Sequence, residues 1–199
     1  MPKIIKNVKE KIISSAIELF ENNHYENVDM KVIAEKSGIA VGTLYNYYSN
    51  KRDIFLVVFE RSWEKTLSDL GAISYEDGNE KAFLKSSLER LYDGILEKKY
   101  MFHELMSSNP DEIENQLRNN DENLKDNNRP SIIKRELLIG IEKVLIKLNE
   151  SNIIKISKGM EERFVVMLFM EIWGLVTAFS NEREANIEFL SNMVDLIFI

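Results

Sequence analysis

Apolar residues return along this 199-residue chain at intervals of three and four, a spacing that predicts helices. The stripe Val8, Ile12, Ala16, Leu19 and Phe20 predicts a first helix from about Ile5 to Asn22. Between Asp29 and Tyr48 the pattern shortens to two brief helices joined by a tight turn. Asp29 is placed to cap the first of them, because its carboxylate accepts the free N–H groups of the opening turn. Val32, Ile33 and Ala34 supply its inward face, and Gly38 stops it in the left-handed conformation that glycine enters without steric cost. Ile39 then packs inward. The second helix, about two turns long, puts Leu44 and Tyr48 four residues apart on a buried face. Val41, Thr43, Tyr45, Asn46 and Tyr47 are left on or beside the outer one. Asn50 and Asp53 have the spacing of a capping box for a long fourth helix, about 51–71. Its inner face reads Ile54, Phe55, Val58, Phe59, Ser62, Trp63, Thr66, Leu67 and Leu70, with Gly71 or Gly78 ending it.

A fifth helix, about Glu80 to Lys99, carries Phe83, Leu84, Leu88, Leu91, Tyr92, Ile95 and Leu96, and a short one follows from Met101 to Ser107. The stretch 107–129 is rich in Asn and acid. It reads equally as a weak helix lined by Ile113, Leu117 and Leu124, or as a loop between Pro110 and Pro130. Pro130 suits the first turn of a helix bearing Ile133, Leu137, Leu138, Ile141, Val144, Leu145 and Leu148. Phe164 to Phe179 is apolar nearly all round, with Glu171 its one charge. That run is shorter than the roughly 20 residues a membrane span needs. It therefore predicts a helix covered on two sides, by its own core and by a partner. Asn186 to Ile199 adds Ile187, Phe189, Leu190, Met193, Val194, Ile197 and Phe198, an apolar stripe that implies a docked terminus. Gly174 either admits a close helix or leaves a packing gap beside Trp173. The expected fold is all-α with about nine helices, a helix-turn-helix part over 1–50 and a larger helical part over 51–199.

The two short helices have the layout of a helix-turn-helix, whose second helix enters the DNA major groove. Over residues 4 to about 62 the chain resembles the DNA-binding domain of the TetR family of transcriptional regulators. The carrying residues are Ala16, Leu19 and Phe20, then Ile33-Ala34, Gly38-Ile39, Gly42-Thr43-Leu44-Tyr45, Tyr48 and Lys51. The motif covers about a third of the chain; the remainder matches by length and helical character. The resemblance implies DNA contacts from Ala40, Val41, Gly42, Thr43, Tyr45, Asn46, Tyr47 and Lys51. Val41 and Asn46 would meet base edges, and Thr43, Tyr47 and Lys51 the backbone. Tyr45 fits equally as a brace at the motif's edge. Lys51 opens the fourth helix, where free N–H groups and the helix dipole already favour a phosphate.

Three departures from the family pattern stand out. His24 stands where a Gly commonly ends the first helix, which implies a left-handed histidine at small cost. Asp29 replaces a Thr or Ser, so the cap brings an anion near phosphates. Ala40 and Val41 are apolar where polar or basic residues are frequent, which favours contact with thymine methyls there. The resemblance also implies a four-helix dimer interface built from the last two helices, here Phe164, Met167, Leu168, Glu171 and Leu175 with Phe189, Leu190, Met193 and Ile197. It implies a ligand pocket among helices four, five and six. The candidates are Trp63, Leu67, Phe83, Leu88 and Tyr92, then Phe102, His103, Leu105 and Met106, with Tyr92, His103 or Glu104 orienting a hydrophobic molecule. The same side chains serve equally as core filling. The stretch 107–129 would gate the pocket.

Composition agrees with an ordinary globular chain: 44% hydrophobic, 30% charged, with 3 Pro and 8 Gly. There is no Cys, which excludes disulfides and thiolate chemistry. The opening MPKIIKNVKEK lacks an apolar signal core, so a cytoplasmic location is expected. The net charge of −7 is unevenly spread: through residue 62 there are 9 Lys or Arg against 8 Asp or Glu, leaving 17 against 25 beyond. Lys3, Lys6, Lys9 and Lys11 either add positive charge near DNA or form a solvated helix face. Glu21-x-x-His24 has di-iron spacing but no second copy. His103-Glu104 begins a zincin motif that Ser107 breaks. Asn149-Glu150-Ser151 is a glycosylation sequon in form alone. No enzyme, metal or cofactor is expected.

These readings converge on a homodimeric, ligand-responsive regulator, a repressor, that binds a pseudo-palindromic double-stranded operator and is released by a small hydrophobic ligand, with no membrane partner. Its two recognition helices would meet major-groove segments about 34–36 Å apart. The alternative is a dimeric helical interaction module without DNA binding, for which Ala40, Val41, Asp29 and the acidity speak.

Overall fold

The computed structural model describes residues 7–74, 78–107 and 160–197, and every regular element among them is helical, as the spacing predicts. Eight α-helices lie among the described residues. They are α1 (Val8–Asn22), α2 (Met30–Ser37), α3 (Val41–Tyr45), α4 (Lys51–Gly71), α5 (Glu80–Glu97), α6 (Lys99–Ser107), α7 (Glu161–Ala178) and α8 (Arg183–Ile197), with a 3-10 turn at Tyr25–Asn27. The expected helix over 131–148, the stretch 108–129, Lys3, Lys6, Phe198 and Ile199 lie outside the described residues. No helix among the described residues is long and apolar enough to cross a membrane.

The first helix starts at Val8 rather than Ile5. Asn7 before it is left-handed (φ 62, ψ 44), a conformation that Asn tolerates better than most residues and that no helix can include. The helix ends differently too. Asn23 is extended and His24 has φ −58 and ψ 143, so the left-handed histidine expected there does not occur. The amides of Asn22 and Asn23 instead donate to the carbonyls of Glu18 and Leu19, satisfying two acceptors of the last turn.

The described residues pack as two units. One runs through Glu64 and takes in Lys98–Ser107; the other holds Lys65–Glu97 with α7 and α8. The division thus falls inside α4, beyond the expected boundary at 50/51. In the first unit α1 packs on α2 and α6, and α2 on α3. Ile12, Ala16, Phe20, Ile33, Ala34, Leu44, Phe55 and Phe59 form its core. Phe20, Tyr25 and Phe55 make a three-ring cluster with centroids 5.1–5.8 Å apart. Glu21, half of the di-iron spacing, accepts a 2.6 Å hydrogen bond from Ser62 Oγ.

In the second unit α5 packs against both α7 and α8. Gly94 permits a close approach within it, since a Cβ there would overlap the Thr66 side chain on α4. Arg183 clamps α8 to α5 through Asp93 at 2.7 Å and Glu89 at 3.0 Å. Those hydrogen bonds raise its pKa. The Asn186 amide donates to Tyr92 Oη and to the Phe179 carbonyl, both at 2.9 Å.

Candidate nucleic-acid interface

Local chemistry sets the geometry of residues 29–48. Asp29 is extended, and its Oδ1 accepts from the Val32 N–H at 2.8 Å, capping α2. Gly38 closes α2 at φ 68 and ψ 34. Its N–H donates to Glu35 and the Ile39 N–H to Ala34, the paired bonds of a Schellman ending. The buried face of α2 is Met30, Ile33, Ala34 and Ser37, a spacing of three, four and seven. Val32, expected inside, lies about one-third of a turn off that stripe and is 37% exposed.

The following helix is shorter than expected. α3 covers Val41–Tyr45, and the Asn46 and Tyr47 N–H groups bond back three residues to Thr43 and Leu44. The chain is therefore a tight turn by the time it reaches Tyr48. Leu44 and Tyr48 are buried as the pattern requires. Ala40, Val41, Gly42, Tyr45, Asn46 and Tyr47 are exposed and Thr43 half-exposed, so seven of the eight expected contact residues are open to solvent in whole or in part. Tyr45 and Tyr47 are 52% and 46% exposed and so are accessible to a partner.

Lys51, the eighth, is differently engaged. Its Nζ donates to the Tyr25 carbonyl at 2.8 Å and sits 3.9 Å from the centre of the Tyr25 ring. Burial lowers its pKa, against the pull of Glu104, Asp29 and Glu26. The same burial raises the Tyr25 hydroxyl, with Arg52 opposing. Arg52 lies 5.2 Å from the Phe55 ring and donates to Glu104 of α6 at 3.0 Å. Glu104, expected beside Tyr92 and His103 as one of three groups that could orient a ligand, is the ion-pair partner of Arg52. Asn50 and Asp53 form the predicted box: the Asp53 N–H donates to Asn50 Oδ1 at 2.9 Å, and the Asn50 amide returns a bond to Asp53. The role of Tyr25 was not visible in the sequence. Its one signal is an aromatic just past the first helix followed by a Lys-Arg pair 26 residues later, and nothing local links them.

The expected ligand residues fall in both units. Trp63, Phe102, His103, Leu105 and Met106 belong to the first; Leu67, Phe83, Leu88 and Tyr92 belong to the second. Trp63, Phe102, Phe83, Leu88 and Tyr92 are buried, Leu67 and Leu105 half-buried, His103 and Met106 exposed. Trp63 and Phe102 meet edge to face at 5.2 Å. His103 faces His24, with ring centroids 5.9 Å apart, and Tyr92 spends its hydroxyl on Asn186.

Of the expected interface residues, Met167 and Phe189 are exposed, and Phe164, Glu171 and Met193 half-exposed. Leu168, Leu175 and Leu190 point the other way, into the chain's own core. Apolarity on both sides of α7 hid that phase. The outer stripe is Val166, Met167, Met170, Gly174 and Ala178 on α7, with Ala185, Phe189 and Leu196 on α8. Gly174 is exposed, and a Cβ there would meet no atom within 4 Å outside its chain neighbours, so the position is open to a close approach. The side chain of Ile197 lies outside the described residues.

A capped α2, a left-handed glycine turn and a short α3 with an open outer face define a helix-turn-helix domain. Residues 12–58 match the family described as bacterial regulatory proteins, tetR family. That match covers the helix-turn-helix part of the chain, which is therefore a tetR-type DNA-binding domain. The chain is 27% identical over 101 residues to an HTH-type transcriptional regulator of Staphylococcus aureus, a stretch covering 51% of this chain and 55% of that one. It is 34% identical over 77 residues to the fatty acid metabolism regulator protein of Bacillus subtilis, covering 39% and 38%. The chain thus spans about half or less of the curated relatives it matches. Its fold is like that of a tetR-family transcriptional regulator from Streptomyces coelicolor (TM-score 0.70, 13% identity, covering 97% of this chain and 79% of that one). It is also like Thermus thermophilus FadR, a TetR family transcriptional repressor solved with lauroyl-CoA (TM-score 0.60, 19% identity, covering 94% and 92%).

Proposed function

We propose that this chain is a ligand-responsive repressor that binds a pseudo-palindromic DNA operator as a homodimer. The observation that carries the reading is the outer face of α3 and its following turn, where Val41, Tyr45, Asn46 and Tyr47 stand exposed beside a rigidly capped α2. Asn46 hydrogen-bonds base edges and Val41 makes apolar contact in the major groove. Thr43, Tyr47 and the two N–H groups of Lys51 that Tyr25 does not use hold phosphates. The outer stripe of α7 and α8 joins two copies, so that one substitution acts twice in the assembly.

The effector is a small hydrophobic molecule. Likeness to a fatty acid metabolism regulator and to a repressor solved with lauroyl-CoA favours an acyl compound. Its binding releases DNA to the extent that it prefers the conformation unable to span two half-sites. The expected outcome of a fluorescence-anisotropy titration is salt-dependent binding to random duplex, and enrichment of a two-fold symmetric sequence from a random pool. Lauroyl-CoA should then dissociate that complex. Binding to no duplex even at low salt would leave the interaction module as the reading.

A further inference from the structure

Trp63 is 1% exposed on the inner face of α4. Its ring stands edge-on to Phe102 of α6 (5.2 Å, 86°), and Phe102 stands edge-on to Phe59 (5.2 Å, 87°). Within this aromatic cage the indole Nε1 is buried and has no hydrogen-bond partner. An indole nitrogen only donates, so nothing but an acceptor satisfies it. Phenylalanine would keep the edge contact with Phe102 without leaving a donor stranded. Among the described residues two other buried polar atoms lack partners, Tyr48 Oη and Arg90 Nε. The Tyr48 hydroxyl rotates about its bond, and the Arg90 guanidinium already pairs with Asp69. Trp63 is the fully buried case, with its donor direction fixed by the ring.

We propose that the Trp63 indole N–H is the polar handle of the effector site, donating a hydrogen bond to the carbonyl oxygen of an otherwise apolar acyl ligand. This rests on the ligand-responsive reading above and goes further, because it names the donor and the class of acceptor. Among the described residues the ring packs on Phe102, so the indole N–H is a neutral donor set beside an aromatic neighbour. A carboxylate there would be desolvated with only one neutral hydrogen bond in return, whereas a thioester or ester carbonyl carries no such penalty. The site therefore selects acyl thioesters or esters over the free acid.

The test uses the full chain carrying Trp173→Phe, which leaves Trp63 as the sole tryptophan of the two and gives one indole N–H resonance in a nitrogen-15 spectrum. Three probes are compared: lauroyl-CoA, S-dodecyl-CoA, which has the same chain but no carbonyl, and lauric acid. Lauroyl-CoA should move the indole proton downfield. The other two should bind at least about tenfold more weakly and leave it in place, a difference of about 1.4 kcal/mol. Trp63→Phe should bring the three affinities together. Equal affinities in the parent chain, no binding of lauroyl-CoA, or an indole proton already at a hydrogen-bonded position without ligand would each overturn the proposal. Operator release is read separately. Release by lauroyl-CoA with a stationary indole resonance leaves the repressor reading and removes Trp63. A shifted resonance with DNA still bound leaves Trp63 and removes the repressor reading.

Discussion

Lys51 is bound twice to Tyr25, by a 2.8 Å hydrogen bond to its carbonyl and by the ring face 3.9 Å from the ammonium. One cation thereby fixes the start of α4 to the turn after α1, at a residue expected to hold a phosphate. Lys51→Ala should cost about 1–2 kcal/mol of stability through the lost bond and ring contact. It should also make the salt dependence of DNA binding shallower by about one unit of log–log slope. Urea unfolding reads the first effect and anisotropy at several salt concentrations the second. A stability loss with an unchanged slope would make Lys51 a strut alone.

Asp29 separates capping from charge. Asp29→Ala removes the acceptor for the Val32 N–H and should cost about 1 kcal/mol. Asp29→Ser keeps a cap, removes an anion from the DNA-facing side and should tighten operator binding while leaving the melting temperature nearly unchanged. Weaker binding by the Ser variant would show that the anion does not oppose DNA.

Gly94 should be intolerant for a reason that its partner can relieve. A Cβ there overlaps Thr66, which is 1% exposed. Gly94→Ala should cost about 1–3 kcal/mol, the usual range for overpacking. Combined with Thr66→Ala the two changes should cost less than their sum in calorimetry. Strict additivity would place the strain elsewhere.

The exposed Lys85–Asp195 pair, 2.7 Å apart, has a pH signature. The hydrogen bond from Lys85 lowers the Asp195 pKa, with Lys81 adding to it. A carboxylate depressed in the folded state contributes stability above its ordinary pKa of about 3.9 and loses it as pH falls through the lowered value. Lys85→Met should therefore reduce the urea midpoint slightly at neutral pH, and the difference should vanish in strong acid. A difference that grows in acid would contradict the sign.

Met170 and Leu175 should answer opposite questions. Met170 is 46% exposed and Leu175 is 9% exposed. Met170→Asp should give a folded monomer by sedimentation, whereas Leu175→Asp should unfold the chain, because it buries a charge in a single copy's own core. A dimeric Met170→Asp would remove α7 from the interface.

How much of this was legible in the sequence depended on range. Asp29, Gly38 and the Asn50–Asp53 box act within three or four residues of themselves, so composition and spacing were sufficient. Val32 lies off its expected face because an eight-residue helix offers too few turns to fix the phase of its stripe. Leu168, Leu175 and Leu190 could not be told from Met167 and Met170, since a helix apolar on both faces carries no contrast. The left-handed conformation expected of His24 follows from a family habit alone, whereas the asparagines before it close the helix another way. The ties Lys51–Tyr25, Arg52–Glu104 and Arg183–Asp93 join residues far apart in the chain, and no local pattern announces them.

Because α6 belongs to the helix-turn-helix unit and α5 to the other, the DNA-reading head is not a contiguous piece of chain. A fragment ending at Gly71 would strip Phe102 from Phe59 and Trp63 and present bare aromatic surface to water. Exchange of heads between relatives meets the same obstacle: a graft cut at the start of α4 would carry the reading surface but inherit a foreign sixth helix. Recombination that preserves folding must move two separate segments together. Heads and bodies in such a chain are therefore expected to change by point substitution more readily than by shuffling.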